Sequence, residues 1–172
     1  MNPTTHKKVV VRHRPLGLLP GFLDPLQLES SARWELITPE GQALVLSPEQ
    51  VLTVYFVSDL EQLEELRLPA ASGRGGAKLA GLWVRVRCLD RHSLEGILAS
   101  DLLQLQAGVW LTPLWPGSPW HRAFLPRPGV EQVTALEVVR PPRRRRSPAT
   151  QQIGLFGENL SASRPTPARE AS

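Results

Sequence analysis

The chain has 172 residues and a mass of 19.1 kDa, which allows one ordinary domain or two very small ones. Apolar residues make up 41% of it and charged residues 21%, so a packed core is expected and a wholly disordered chain is excluded. The 17 Pro and 13 Gly interrupt the chain too often for long helices, and the net charge of +4 is unevenly distributed.

The charge divides the sequence after Val139. Residues 1–139 contain 13 Lys and Arg against 14 Asp and Glu, while residues 140–172 contain 7 Arg against 2 Glu. The second stretch is otherwise mostly Pro, Ser, Ala, Thr and Gln, and it buries too little apolar surface to offset the entropy of ordering. We therefore expect residues 140–172 to form a disordered basic tail. The near-neutral remainder argues against a globular surface built mainly for nucleic acid.

Cysteine, histidine and hydropathy patterns narrow the class of protein further. Cys88 is the single cysteine, which excludes an intramolecular disulfide framework and a multi-cysteine zinc site, and the four histidines have no metal-ligand spacing. No apolar run approaches the roughly 18 to 20 residues of a membrane span, and the N-terminus carries no export signal. We expect a cytoplasmic protein without a metal, a cofactor or a membrane contact.

Residues 6–58 predict a first small β-barrel. An apolar strand is followed by a strand centred on Gly21, then by a hairpin and a final β-branched strand; these elements lie at residues 8–12, 19–23, 34–39, 43–46 and 52–57. A glycine inside a strand marks the bulge or bend that a small barrel needs to close. Ser47 and Gln50 have the capping-box spacing, with Pro48 at the first helical position, which predicts one helical turn before the last strand.

Residues 59–80 predict a linker. Its first half, from Asp59 to Leu66, has apolar residues at three-residue spacing and is typical of a short helix. Its second half contains Ser72-Gly73-Arg74-Gly75-Gly76, which is a flexible composition.

Residues 81–139 repeat the order of the first copy, offset by roughly 75 positions. Apolar and polar residues alternate along residues 83–88, Gly96 interrupts the next strand, and further strands are predicted at 109–113, 122–125 and 133–139. Five short strands with one helical turn are typical of a small barrel of the SH3-like or Sm-like kind. The sequence therefore predicts an all-β fold of two tandem small β-barrels, which pack on each other because each alone has a small core.

The motif order also resembles a known family. The first copy reads Lys-Lys-Val-Val-Val-Arg, Leu-Pro-Gly, Thr-Pro-Glu-Gly, Val-Tyr-Phe-Val, and the second reads Leu-Trp-Val-Arg, Leu-Glu-Gly, Asp-Leu-Leu, Leu-Thr-Pro. This order resembles an uncharacterised bacterial family of tandem β-rich domains over about residues 6–139. The resemblance implies the fold class and no activity. The second copy departs from the usual Asp-Gly hairpin, since Asp90 is followed by Arg91.

The sequence shows no set of titratable groups arranged for catalysis. Asp90, His92 and Ser93 supply a carboxylate, an imidazole and a hydroxyl, but on one turn they cannot line up as orienter, base and nucleophile. Cys88 alternates with Val84 and Val86, which predicts a buried packing residue. We expect no catalytic site.

A nucleic-acid-binding barrel is the alternative function. Arg85 and Arg87 on the second barrel, with Trp115 and Trp120 in the following loop, are residue types that track phosphates and stack bases. A nucleotide-binding PilZ-type site fits less well, because Arg91 occupies its acidic position. The competing interpretation is that the tryptophans cap the end of a barrel, which the lack of net positive charge favours.

The tail carries the most specific motif. Gln152-Ile153-Gly154-Leu155-Phe156 resembles the Gln-Leu-x-Leu-Phe peptide by which bacterial polymerases and repair proteins bind the β sliding clamp. In such a peptide Ile153, Leu155 and Phe156 fill an apolar groove and Gln152 contacts its polar rim, at the cost of ordering a few residues. The preceding arginines suit a weak, salt-dependent contact with DNA; they are Arg143, Arg144, Arg145 and Arg146. A solvated basic linker is the alternative interpretation of that run.

The sequence thus favours a non-enzymatic adaptor that binds the bacterial sliding clamp through residues 152–156 and acts in DNA replication or repair. A structural module that binds another protein through its barrel surfaces is a third reading. The ligand of the barrels and the oligomeric state are left open.

Overall fold

The computed structural model describes residues 5–61, 66, 80–98 and 106–140. The regular structure of this part of the chain is mainly β-strand, with a short helix, α1, at Gln27–Ser30 and a 3-10 turn at Arg127–Gly129. The strands are β1 Lys7–His13, β2 Gly17–Leu23, β3 Trp34–Ile37, β4 Ala43–Leu46, β5 Val51–Val57, β6 Gly81–Cys88, β7 Ser93–Leu98, β8 Gly108–Thr112, β9 Trp120–Pro126 and β10 Val130–Val139. The predicted all-β class is confirmed.

All the strands belong to one open antiparallel sheet. Their order across it is β10, β6, β7, β8, β9, β5, β1, β2, β3, β4. Strands β1–β5 form the first copy and β6–β10 the second, and in each copy the spatial order is fifth, first, second, third, fourth. The copies join where β9 pairs with β5, with Val54 opposite Phe124 and Tyr55 opposite Ala123. Because the sheet is continuous, the division into two separate barrels stays a prediction.

The two copies share their hydrophobic cores, which lie on opposite faces of the central strands. The first core is built mainly from residues of the first copy, and the second core mainly from residues of the second copy. On β5, Val54 and Phe56 face the first core, while Leu52 and Tyr55 face the second. The second copy contributes residues of β8 and β9 to the first core, and the first copy contributes residues of β1 and β5 to the second. Sharing enlarges two cores that would each be small for a domain of this size.

A glycine lets the second strand of each copy lie close to the third strand at the same place. A Cβ atom on Gly21 would lie 2.5 Å from the carbonyl oxygen of Ile37, and one on Gly96 would lie 2.8 Å from that of Thr112. Both contacts are with the third strand of the same copy, so the missing side chain lets the two strands cross closely. The pairing of β2 with β1 and of β7 with β6 runs through these glycines without a register shift, so the predicted bulge or bend at each glycine stays a prediction.

Two local predictions have different outcomes. Residues 48–50 form a hydrogen-bonded turn, with Gln50 N donating to Ser47 O at 3.0 Å, and no helix; the 3-10 turn before β10 is its counterpart. Most of the predicted linker 59–80 lies outside the described residues. Within the described ranges, no helix is long and apolar enough to cross a membrane.

Candidate functional site

The predicted nucleic-acid contacts on the second copy are engaged with carboxylates. The Arg85 guanidinium forms an ion pair with Glu95 at 2.7 Å, and Arg87 forms one with Glu131 at 3.0 Å. Glu95 also accepts a hydrogen bond from the Trp83 indole at 3.2 Å. Each arginine therefore already has a neutralising partner on a neighbouring strand, which weakens its attraction for a phosphate.

The tryptophans of the second copy mainly pack inside the fold. Trp120 is 3% exposed and lies against Tyr55, with ring centroids 6.2 Å apart. Trp110 is covered by the guanidinium of Arg122, 3.9 Å from its ring centroid, and its indole N–H donates to Glu29 at 2.7 Å. Trp115 is half-buried. The sequence-predicted set thus supplies no row of exposed rings beside unpaired arginines, and binding of nucleic acid by these residues stays a prediction.

A polar cluster that sequence reasoning missed joins the two copies. Arg12 at the end of β1 contacts Asp90 in the β6–β7 turn, with its Nη2 2.8 Å from the carboxylate. Asp90 also accepts a hydrogen bond from the His92 backbone N–H at 3.0 Å, and Arg91 between them has a positive φ of 66°. The His92 ring lies 3.4 Å from the Tyr55 hydroxyl. Arg12 and Asp90 are 78 positions apart, so no local pattern reveals their contact.

The electrostatics of this cluster favour one ion pair among otherwise uncharged groups. Burial raises the pKa of Tyr55 far above its ordinary value and raises the pKa of the Cys88 thiol to about 11. Burial and the nearby Arg12 guanidinium lower the pKa of His92. Burial alone would raise the pKa of Asp90, but hydrogen bonds from His92 and Arg12 lower it on balance. At neutral pH the cluster therefore holds one ion pair beside a thiol, a phenol and a neutral imidazole, which suits stabilisation of the fold.

A shallow cleft of about 360 Å³ opens beside this cluster. Its lining includes the basic residues Arg12, His13 and Arg14 and the apolar residues Leu18 and Leu52. His13 is buried, and its Nδ1 has no hydrogen-bond partner among the described residues. Within those residues no group of three or more His, Cys, Asp or Glu is arranged to hold a metal ion.

The outer strands of the sheet carry the second notable surface. In β10 every residue from Glu131 to Val138 is exposed, and β4 exposes Val45. Seven large apolar side chains are strongly exposed among the described residues, and four of them lie on these two strands: Val45, Val133, Leu136 and Val138. Sequence reasoning did not single them out, because a β-branched strand reads alike whether it is central or at an edge.

The sequence-predicted clamp peptide lies outside the described residues. Gln152, Ile153, Leu155 and Phe156, and the arginines 143–146, all follow Arg140, where the described part ends. Their predicted roles stay predictions. What the structure places is the strand that leads to them, since β10 ends at Val139 on the outer edge of the sheet.

Comparison with known proteins gives one match. A protein-family model covers residues 5–137, which include all the strands up to the last two residues of β10, and the family is described as one of unknown function (DUF6982). Neither a curated protein nor a solved structure matches the chain.

Proposed function

Because the chain belongs to DUF6982, a family described without an activity, we propose its function from its own surfaces: it is a non-enzymatic adaptor that binds the bacterial sliding clamp through Gln152–Phe156. The observation that carries the proposal is the exit of the chain from the sheet. β10 is an outer strand, and it leads directly into the basic tail. The chain therefore leaves the sheet at its outer edge, with 12 residues between Val139 and Gln152.

The spacing between fold and peptide suits an adaptor. Residues 140–151 separate β10 from Gln152, and a fully extended segment of that length spans about 40 Å. This reach lets the peptide occupy a groove while the sheet stays clear of the partner. The arginines 143–146 lie in the same segment, where they would face the DNA that a clamp encircles.

The described side chains support a binding role over a catalytic one. Cys88 is buried with a raised pKa, Tyr55 is buried, and Asp90 is engaged with Arg12. Four of the seven strongly exposed large apolar side chains among the described residues lie instead on the outer strands. These features are typical of a protein that acts by contact with other macromolecules.

The test measures binding of the full chain to purified bacterial sliding clamp by biolayer interferometry. We expect saturable binding in the micromolar range, which the double substitution Leu155→Ala with Phe156→Ala weakens by at least about 100-fold, since each side chain contributes about 1.5 to 3 kcal/mol when buried. Leu160→Ala removes an apolar side chain from the same tail outside the peptide and is the matched control. Equal binding by the double variant and by the control would refute the proposal.

A further inference from the structure

The two outer strands of the sheet hold the same positions within their copies, fourth and fifth, as the two strands that pair in its middle. The copies join where β9, the fourth strand of the second copy, pairs with β5, the fifth strand of the first. The strands left at the edges are β4, the fourth of the first copy, and β10, the fifth of the second. We propose that β4 of one molecule pairs antiparallel with β10 of another in the way that β9 pairs with β5 within the chain, so that the sheet continues from molecule to molecule.

The correspondence between the fourth strands follows from their pairing. Val45 on β4 lies opposite Glu35 on β3, and Phe124 on β9 lies opposite Trp110 on β8. Glu35 and Trp110 occupy equivalent positions in the third strands. Ile37 pairs with the residue that follows Gly21, and Thr112 pairs with the residue that follows Gly96. Glu35 lies two residues before Ile37, and Trp110 lies two residues before Thr112. Val45 is therefore the counterpart of Phe124.

The correspondence between the fifth strands follows in the same way. Val54 on β5 lies opposite Val11, and Val133 on β10 lies opposite Val86. Val11 and Val86 each come two residues before the end of the first strand of their copy. Both fifth strands also have a bulge between their first two pairs with that strand. Val133 is therefore the counterpart of Val54.

These correspondences fix the register between molecules. Within the chain Phe124 lies opposite Val54, and both side chains are fully buried. Between molecules the same pairing sets Val45 opposite Val133, which are 68% and 44% exposed in the single chain. The neighbouring pairs become Leu44 with Thr134 and Ala43 with Ala135. The register thus brings together two of the exposed apolar side chains on the edges.

The chemistry of the edges fits a second copy of this chain. Strand β4 contains only Ala, Leu and Val, without the charge or proline that keeps edge strands apart. On β10 the acidic residues Glu131 and Glu137 flank the segment 133–135 and stay outside the paired positions. Pairing of β4 with β10 uses different surfaces on the two partners, so it is head-to-tail and extends until a ring closes or a filament grows.

Sedimentation velocity of the full chain tests the proposal. The wild type is expected to form species above 19.1 kDa whose mass rises with concentration. Val45→Lys and Val133→Lys are each expected to sediment as monomers, because each places a charge at an exposed position in one of the two pairing strands. Leu16→Lys, which replaces a side chain 60% exposed in the β1–β2 turn, is the matched control and keeps wild-type association.

Mixing the two edge variants separates head-to-tail pairing from other modes. The Val45→Lys chain keeps an intact β10, and the Val133→Lys chain keeps an intact β4. An equimolar mixture is expected to form a heterodimer and nothing larger. A wild type that stays monomeric up to about 0.1 mM, near the weak end of specific association, would overturn the proposal, as would self-association by either variant alone.

Cross-linking tests the register and does not depend on binding to a clamp. A Val45→Cys chain oxidised with a Val133→Cys chain is expected to form an intermolecular disulfide, because directly opposite residues have the separation that a disulfide needs. A Thr134→Cys partner places its thiol on the other face of β10 and is expected to cross-link at least about tenfold less. Equal yields from the two partners would overturn the register.

Discussion

The fifth strands of the two copies, β5 and β10, occupy equivalent places and have opposite environments. Every residue of β5 is buried, whereas Glu131 to Val138 on β10 are exposed. β5 pairs on both sides and separates two cores, while within the described part of the chain β10 pairs only with β6. The comparison shows that neighbours in the sheet, more than position in the repeat, decide what a strand buries.

The largest expected effect comes from placing the same charge at the two equivalent positions. Val54→Asp buries an unpaired carboxylate inside the first core, and we expect it to cost at least about 4 kcal/mol of unfolding free energy. Val133→Asp leaves the carboxylate in water, and the change is expected to stay within about 0.5 kcal/mol. Urea denaturation at low protein concentration, where the chain is a monomer, measures both.

The control for this pair is Val54→Ala, which removes apolar contact without adding a charge. It is expected to destabilise the protein less than Val54→Asp. Similar losses for the aspartates at positions 54 and 133 would mean that β5 and β10 have similar environments in solution, and would contradict the comparison.

The second strands of the two copies, β2 and β7, are expected to respond alike to the same substitution, in contrast to the fifth strands. A Cβ on Gly21 or Gly96 would approach a carbonyl oxygen of the third strand to 2.5 or 2.8 Å. Because a backbone atom cannot rotate away, Gly21→Ala and Gly96→Ala are each expected to cost about 1 to 3 kcal/mol. Thermal unfolding measures the cost.

Gly117 supplies the matched control, since a Cβ there would have its nearest neighbour, Trp115, at 4.0 Å. Gly117→Ala is expected to change stability by no more than about 0.5 kcal/mol. A tolerated alanine at only one of positions 21 and 96 would show that the two close approaches are not equivalent.

Local pattern was sufficient to predict the strands but not their arrangement. The predicted strand at residues 43–46 has the observed bounds of β4, and the glycine-centred strands were found because Gly inside an apolar run is a local signal. The pairing of β9 with β5 joins segments far apart in sequence, so two separate barrels and one continuous sheet are indistinguishable by periodicity.

The same limit applies to the candidate sites. Arg85 and Arg87 read as basic groups because their acidic partners, Glu95 and Glu131, lie on neighbouring strands 10 and 44 positions away. The Arg12–Asp90 contact across the copies was missed for the same reason. Ion pairing depends on such non-local partners, so the positions of Arg85 and Arg87 along the sequence do not reveal that both are engaged.

The smallest expected effect concerns how the stability of the fold depends on pH through His13 and His92. Burial lowers the pKa of His13 below 6.5, and burial with the nearby Arg12 lowers the pKa of His92. The unfolded chain therefore takes up protons at a higher pH than the folded one. Stability from these histidines is complete above pH 6.5 and is lost as the pH falls toward the lowered pKa values of the folded state.

Asp90 also has a lowered pKa, but its contribution is lost only below its ordinary value of 3.8, outside this window. We expect the melting temperature to fall between about pH 7.5 and 5, and His92→Gln or His13→Gln to flatten that slope because each removes a titrating ring. Melting curves across this range provide the measurement. Slopes that both variants leave unchanged would mean that neither histidine is held as a neutral, buried ring in the folded chain.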